Sequence, residues 1–356
     1  MTALGRLGAK ASTEEISEAL DGIPSRTVRY RLTKLREAGL LSRRFVMTHE
    51  RRMGLGESIL LMKATTRGSL LLPKMFGRLD ALYWFSPTYG SYDGYYVHCL
   101  FSLSSPRVGR RILEAFQKSD LITDFFIFDI TDYEQRPKDM SYYTPGKGWK
   151  YDWEGWTKRI DKNARRGLPK QVKLQETHPI VEFDDDDVKI LKLLYGNGEI
   201  TQKEIAEELK QSEAQVNKRI HRLEKDGIVK GFTQFLHLPD PSIDFTIFFE
   251  VEDGKEGLLR SFYEIPHFGT VMMESESRFG YRTELPAADF RPMMNGIDRM
   301  RPFLKWYHFQ TVHNPKNLTK SLHPFDMFDA ERDRWETPAS KYLRLIPEIL
   351  AELEKD

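Results

Sequence analysis

A chain of 356 residues, 40% hydrophobic and 30% charged, has enough apolar material for two to four ordinary domains and carries no low-complexity tract. No stretch approaches the ~20 consecutive apolar residues of a membrane span; the start, Met1 to Arg6, is too short and too mildly apolar for a secretory signal; and a single cysteine, Cys99, excludes an internal disulfide framework or a multi-cysteine zinc site. The formal net charge of +1 selects no partner, and the expectation is a cytoplasmic protein with no membrane contact and no cofactor.

Charge is nevertheless uneven along the chain. Between Ser25 and Arg52, nine basic residues (Arg26, Arg29, Arg31, Lys34, Arg36, Arg43, Arg44, Arg51, Arg52) stand against only Glu37 and Glu50. That is a local footprint for a polyanion. Pro24 and Ser25 open a helix over 25–36, a position where proline costs little. Val28, Leu32 and Leu35 form its apolar stripe. Ser25, Thr27 and the off-stripe residues Arg26, Arg29, Tyr30, Thr33 and Lys34 supply groups that hydrogen-bond base edges and phosphates. Gly39 ends the helix, and a β-prone run follows over 40–45. Helix, turn, helix, glycine and strand is the order of a winged helix-turn-helix. The first helix of this unit begins almost at Met1, about one turn short. Either it is shortened or its start lies upstream.

Next come predicted strands at 58–65, 83–88, 94–103 and 122–131, with helices at 68–82 and 106–118. The order βαββαβ is the ferredoxin-like sandwich. Phe125, Phe126, Ile127 and Phe128 place apolar side chains on both faces of the last strand, so this sheet is expected to pack against another. Residues 136–183 then alternate aromatic and basic character: Tyr142, Tyr143, Trp149, Tyr151, Trp153 and Trp156, followed by Lys158, Arg159, Lys162, Arg165 and Arg166. Solvated linkers do not spend tryptophans in this way, so part of the segment is expected to dock on a domain. Gly167, Pro169 and Pro179 mark a flexible boundary.

The whole pattern then repeats. Residues 25–41 align without gaps on 213–229, 188 residues further on, with identities at Val28/Val216, Arg31/Arg219, Leu35/Leu223 and Gly39/Gly227. The spacing is far too long for a solenoid and signals duplication of a two-part unit. The second copy has a full first helix at 185–195, with the acidic run 184–187 at its positive end. Ser212 and Gln215 make a capping box, and the off-stripe face carries Gln215, Asn217, Lys218, His221 and Arg222. Strands follow at 228–232, 245–252, 270–275, 279–285 and 306–312, with helices at 256–265 and 288–304. In the tail, Pro315, Lys316, Asn317 and Leu318 weakly echo Pro137, Lys138, Asp139 and Met140, and an amphipathic helix covers 339–353.

The expected fold is therefore α+β: winged helix-turn-helix domains at 1–50 and 184–238 alternate with ferredoxin-like βαββαβ domains at 57–135 and 243–313. Residues 136–183 link the copies and 314–356 form the tail.

The run 201–209 with 212–229 is very similar to the helix-turn-helix of the Lrp/AsnC (leucine-responsive, feast/famine) regulators. Residues 265–271, Ile265 to Val271, resemble that family's turn into its second strand. Residues 88–96, where Gly90 is followed three residues later by Asp93, resemble the loop between its second and third strands. The chain resembles this family, in tandem-duplicated form, over 1–135 and 185–313. The resemblance implies that the helices at 25–36 and 213–224 are recognition helices for double-stranded DNA. It implies that Gly90 and Asp93 border a pocket for a small-molecule effector such as an amino acid, although ordinary turn chemistry explains the same residues. The second copy's loop, 275–281, lacks the aspartate. Since most members of that family are homodimers through their sheets, the resemblance and two copies in one chain imply an intramolecular pseudo-dimer or a homo-oligomer.

The expected function is a sequence-specific DNA-binding transcriptional regulator and not an enzyme. One alternative is an enzyme of the sirohaem decarboxylase type, built on the same fused fold. It would need histidine and arginine on the second and third strands, where the sequence offers His98 and Arg282, scattered. Another is a metabolite sensor whose helix-turn-helix makes only protein contacts.

Overall fold

The computed structural model describes residues 11–170, 172, 179–237, 241–313 and 324–354. The clipped first helix, in 1–10, and the weak tail echo at 315–318 lie outside the described residues. Each helix-turn-helix forms from strong local signals. In the first, Ser12 and Glu15 exchange a reciprocal cap that starts α1 (Thr13–Glu18), and Pro24 precedes the recognition helix α2 (Ser25–Glu37). Strand β1 (Phe45–Thr48) follows, then a short 3-10 turn Glu50–Met53. The first α+β domain is β2 (Leu55–Ala64), α3 (Thr66–Phe76), β3 (Leu82–Gly90), β4 (Gly94–Ser102), α4 (Val108–Lys118) and β5 (Ile122–Ile130). The helix expected over 68–82 stops at Phe76, because Leu79, Ala81 and Leu82 turn inward to join the core.

After Thr131 the strand resumes as β6 (Asp132–Arg136). The linker then folds into a tiny hairpin, β7 (Tyr143–Thr144) with β8 (Gly148–Trp149), and helix α5 (Trp153–Ala164). The second copy runs α6 (Asp185–Gly196), α7 (Gln202–Leu209), α8 (Glu213–Lys225), β9 (Val229–Thr233), β10 (Ser242–Val251), α9 (Leu259–Tyr263), β11 (Gly269–Met273), β12 (Arg278–Pro286), α10 (Phe290–Met300) and β13 (Leu304–Val312). The helices expected over 256–265 and 288–304 are each partly 3-10 helix; Pro266 and Pro302 follow or interrupt their ends. A second hairpin, β14 (Phe328–Asp329) with β15 (Arg334–Trp335), leads into α11 (Ala339–Leu353), the tail helix at its expected limits.

Nine strands form one ribbon in the order β5-β2-β4-β3-β13-β10-β12-β11-β6. The two ferredoxin-like sheets are thus joined through β3 and β13, where Tyr89 faces Thr311. They are joined again through β6 and β11, where Asp132 faces Met273. Since β6 continues β5, the ribbon nearly closes on itself, and the inner faces bury one aromatic layer. Phe248 lies 4.9 Å from Phe128 and 5.7 Å from Phe126, ring centre to ring centre, with Ile59, Leu61, Tyr96 and Met272 around them. The doubly apolar β5 is explained: one face lines its own domain and the other lines this layer. The two sheets pair with each other within one chain.

The extensions complete the symmetry by exchange. Helix α5 follows the first domain but packs on the second, with Trp156 fully buried and its indole N–H donating to the Ser261 carbonyl at 2.7 Å. A side chain at Gly296 would strike the Trp156 ring at 1.9 Å, so the close approach of α5 and α10 requires glycine there. Helix α11 follows the second domain but packs on the first, burying Tyr342, Ile346, Ile349 and Leu350 against α3 and α4. Trp149 and Trp335, 186 residues apart, close the two hairpins, and each precedes its helix by four residues. The duplication therefore reaches into the linker and tail.

Candidate nucleic-acid interface

The two wings complete one another. Strands β1 and β9 pair antiparallel, Phe45 opposite Thr233 and Thr48 opposite Val229, so each helix-turn-helix contributes one strand to a shared two-stranded sheet. The units also touch through Arg36, which pairs with Glu199 at 2.7 Å. This sheet fixes the recognition helices α2 and α8 with respect to each other.

On α2, Val28 is buried; Arg26, Arg29, Tyr30, Thr33 and Lys34 are exposed, and Ser25 and Thr27 are half-buried. The Tyr30 ring is 62% exposed. Lys34 pairs with Glu37 at 2.6 Å and sits 5.8 Å over the Tyr30 ring. Among the described residues, Arg26 and Arg29 are paired with no carboxylate. On α8, Gln215, Lys218 and His221 are exposed, and Asn217 and Arg222 are half-buried. Their side chains are more engaged. Gln215 closes the Ser212 capping box with its carbonyl oxygen, and Asn217 accepts from Gln202 at 3.4 Å. His221 lies 3.6 Å from Glu224.

Arg222 is tied back to the first helix of its own unit. Its guanidinium meets Asp187, whose carboxylate is wholly buried, and Arg219 bridges Asp184 at 2.8 Å, Asp186 at 3.3 Å and Asp187 at 2.9 Å. Burial alone would raise the Asp184 carboxyl, but the Arg219 guanidinium and the Asp187 backbone N–H hold it below the ordinary range. The acidic run therefore caps α6 and also clamps the recognition helix.

Sequence reasoning missed a second cluster, where the wings meet the sheets. Glu50 accepts from the Thr48 hydroxyl at 2.5 Å, and the Tyr133 hydroxyl donates to the Thr48 carbonyl at 3.0 Å. Glu57 accepts from Tyr83 at 2.6 Å and contacts His98. Lys230 reaches Asp132 at 2.7 Å and lies over the Tyr133 ring. Burial, then the nearby Glu57 charge, pushes Glu50 up to about 7. Burial would raise Glu57 too, but the His98 contact and the Tyr83 hydroxyl hold it below its ordinary value. The available signal was two acids, Glu50 and Glu57, flanking an otherwise basic and apolar junction.

Gly90 and Asp93 sit in the β3–β4 turn, with the Gly90 N–H donating to the Asp93 carboxylate at 3.0 Å. The turn leans on the second domain: Gln310, fully buried, donates to the Tyr92 carbonyl at 3.2 Å and accepts from the Tyr92 N–H at 3.4 Å. A side chain at Gly90, whose φ is +142°, would meet the Phe309 carbonyl at 2.3 Å. The loop lies at the seam between the copies, and one Asp93 carboxylate oxygen is engaged by the turn itself.

His98 and Arg282, far apart in sequence, border the same two rings. His98 lies 5.2 Å from Trp84 and 5.5 Å from Tyr96, and the Arg282 guanidinium lies 5.3 and 6.0 Å from the same ring centres. The expectation that they are scattered is thus corrected, because β3, β4 and β12 converge on one aromatic layer. His98 is bound to Glu57 and Arg282 to Asp244. Among the described residues no group of three His, Cys, Asp or Glu is placed to hold a metal ion, and no helix is long and apolar enough to cross a membrane.

The fold and the paired helices define a class: a tandem α+β protein with two helix-turn-helix units of the DNA-binding type. Residues 183–230 match a family model described as winged helix-turn-helix DNA-binding, and 4–44 match a helix-turn-helix domain model. The chain is 46% identical over 54 residues to an HTH-type transcriptional regulator, LysM, of Sulfurisphaera tokodaii, and 48% identical over 51 residues to LysM of Saccharolobus solfataricus. These matches take in 15% and 14% of this chain and span 39% and 36% of the relatives' lengths. They bear out the Lrp/AsnC resemblance for the helix-turn-helix. Along its whole length the chain shares its fold with a solved siroheme decarboxylase, NirDL, with a TM-score of 0.58, covering 99% of this chain and 98% of that one. At 10% identity, that likeness is one of fold alone.

Proposed function

We propose that this chain is a cytoplasmic transcriptional regulator that binds double-stranded DNA through α2 and α8 together, as a built-in pair. The observation that carries the reading is the β1–β9 sheet, which ties two exposed recognition helices, one strongly basic, into a single unit. Such a unit gains most of its affinity from phosphates, so binding should fall steeply with salt. Arg26→Ala with Arg29→Ala should weaken binding in a mobility-shift titration. If both contact phosphates, the slope of log affinity against log salt should flatten by roughly 2. Unchanged affinity and slope would remove the first copy from the mechanism. The finer part of the proposal is modulation by a small metabolite, such as an amino acid, at the Gly90–Asp93 seam. An amino-acid panel should raise the melting temperature of the chain but not that of Asp93→Ala.

A second reading has its own support. The full-length likeness to NirDL and the convergence of His98 and Arg282 on Trp84 and Tyr96 fit an enzyme acting on a tetrapyrrole. Against it stands the aromatic layer, in which Tyr96, Phe126, Phe128 and Phe248 fill the space between the sheets. Adding sirohaem and recording the Soret band separates the two. A perturbed band at stoichiometric protein, lost in His98→Ala, would favour the enzyme.

A further inference from the structure

Two copies in one chain have no obligation to read the same sequence, and their recognition helices are differently equipped. Helix α2 carries five basic residues against one acidic and no amide side chain. Arg26 and Arg29, in its first turns, are exposed and, among the described residues, paired with no carboxylate. The first turns of a recognition helix are the part that meets base edges in the major groove. Arginine there pairs bidentately with guanine O6 and N7. Helix α8 has two arginines as well, but both are withdrawn: Arg219 to Asp184, Asp186 and Asp187, and Arg222 to Asp187. Gln215 has its carbonyl oxygen engaged by the Ser212 cap, which leaves only its amide donor for a base and breaks the two-pronged match to adenine. Lys218 and His221 remain exposed, and both suit backbone phosphates better than a particular base.

The geometry points to an operator with two unlike halves: a guanine-bearing, sequence-specific half under α2, and a half under α8 held mainly through its phosphates. This inference rests on the DNA-binding reading above. It replaces the palindrome that a homodimer of identical helices imposes with a directional site, because the shared β1–β9 sheet holds one specific and one permissive reader side by side.

Selection from a randomised duplex pool with the full chain tests it, with three protein forms compared. The wild type should enrich a motif whose conserved bases, including guanine, fall in one half only, with protection extending about one helical turn beyond it. Arg26→Ala with Arg29→Ala should erase the motif, with discrimination falling by on the order of tenfold or more, while some salt-sensitive binding persists. Lys218→Ala with His221→Ala should keep the motif and lower affinity for every duplex alike. A palindromic motif, or one erased by the α8 variant and kept by the α2 variant, would overturn the inference while leaving DNA binding intact. Failure to enrich any duplex, with no salt-dependent shift, would instead sink the DNA-binding reading and this inference with it. All four side chains lie on the surface, and unchanged circular dichroism would show that the variants fold.

Discussion

The two helix-turn-helix units answer the same architectural demand with different resources. The second is over-determined. Reciprocal caps begin α6, α7 and α8, an Asp–Arg clamp ties α6 to α8, and the C-terminal hairpin with the 3-10 turn before it adds Phe325, Met327 and Trp335 to its core. Trp335 also donates to the Met53 carbonyl at 2.6 Å, fastening that core to the first copy. The first unit is lean: among the described residues its core is Ala11, Ile16 and Val28 with Leu20, Ile23 and Leu32, and α2 begins at Pro24 without a side-chain cap. What one copy spends on holding its recognition helix, the other leaves available at the surface. An arginine folded against carboxylates stabilises the domain; an arginine without them can meet a phosphate or a base. The same duplicated position, Arg31 and Arg219, shows both states of that trade, exposed in α2 and clamped in α8.

Four substitutions test this contrast. The largest effect should come from Trp156→Ala, which empties the seat of α5 on the second domain and should cost about 3–5 kcal/mol. Chemical denaturation should show one cooperative transition moving down, because the exchanged helices bind the copies together. Loss of a separate, early-melting half would show instead that the two units are thermodynamically independent. Next, Asp187→Ala removes the buried carboxylate between Arg219 and Arg222. Since both arginines keep partial exposure, the loss should be about 2–3 kcal/mol, below that of a fully buried pair. Hydrogen exchange should speed up across α6 and α8 and leave α2 unchanged; equal acceleration in both copies would contradict the idea that only the second is braced.

The junction beneath the wings gives a pH-dependent test. The folded chain holds the Glu50 carboxyl at about 7 against an ordinary 4.5, so it binds that proton more tightly than the unfolded chain does. Stability from this group is therefore fully present below about 4.5 and is lost as pH rises through 7. Between these limits the wild type should lose stability, its melting temperature falling as the pH rises, and Glu50→Gln should flatten the decline. Parallel profiles for the two proteins would assign the pH dependence elsewhere. The smallest effect belongs to Ser212→Ala, which removes the cap of α8 for about 1 kcal/mol and makes the start of that helix resemble the uncapped start of α2. A melting point unmoved by this change would mean that packing alone fixes α8.

Much of this was legible in the sequence, for identifiable reasons. Both recognition helices were found within a residue or so because their apolar stripes, glycine stops and the Ser212 cap are local signals. The pairing of the sheets was legible from Phe125 to Phe128, since residues apolar on both faces of a strand need two partners. What escaped was whatever depends on distant segments meeting. The acidic run before α6 reads as a helix start, and nothing local says that Arg219 and Arg222 will fold back onto it. The tryptophans of the linker announce docking but not the address; Gly296, the notch that receives Trp156, is one glycine among 24. His98 and Arg282 looked unrelated because β4 and β12 belong to different copies and meet only through the layer between the sheets.

The exchange of α5 and α11 has a consequence for how such a protein changes over time. In a dimer of identical chains every substitution is made twice, so a contact across the seam must suit its own mirror image. Here each substitution is made once. Gln310 can hold the Tyr92 backbone at one seam while Asp132 and Lys230 form a different arrangement at the other. Neither copy can trade its mate for that of a related chain, because each carries the helix that completes the other. The halves are free to diverge but not to separate.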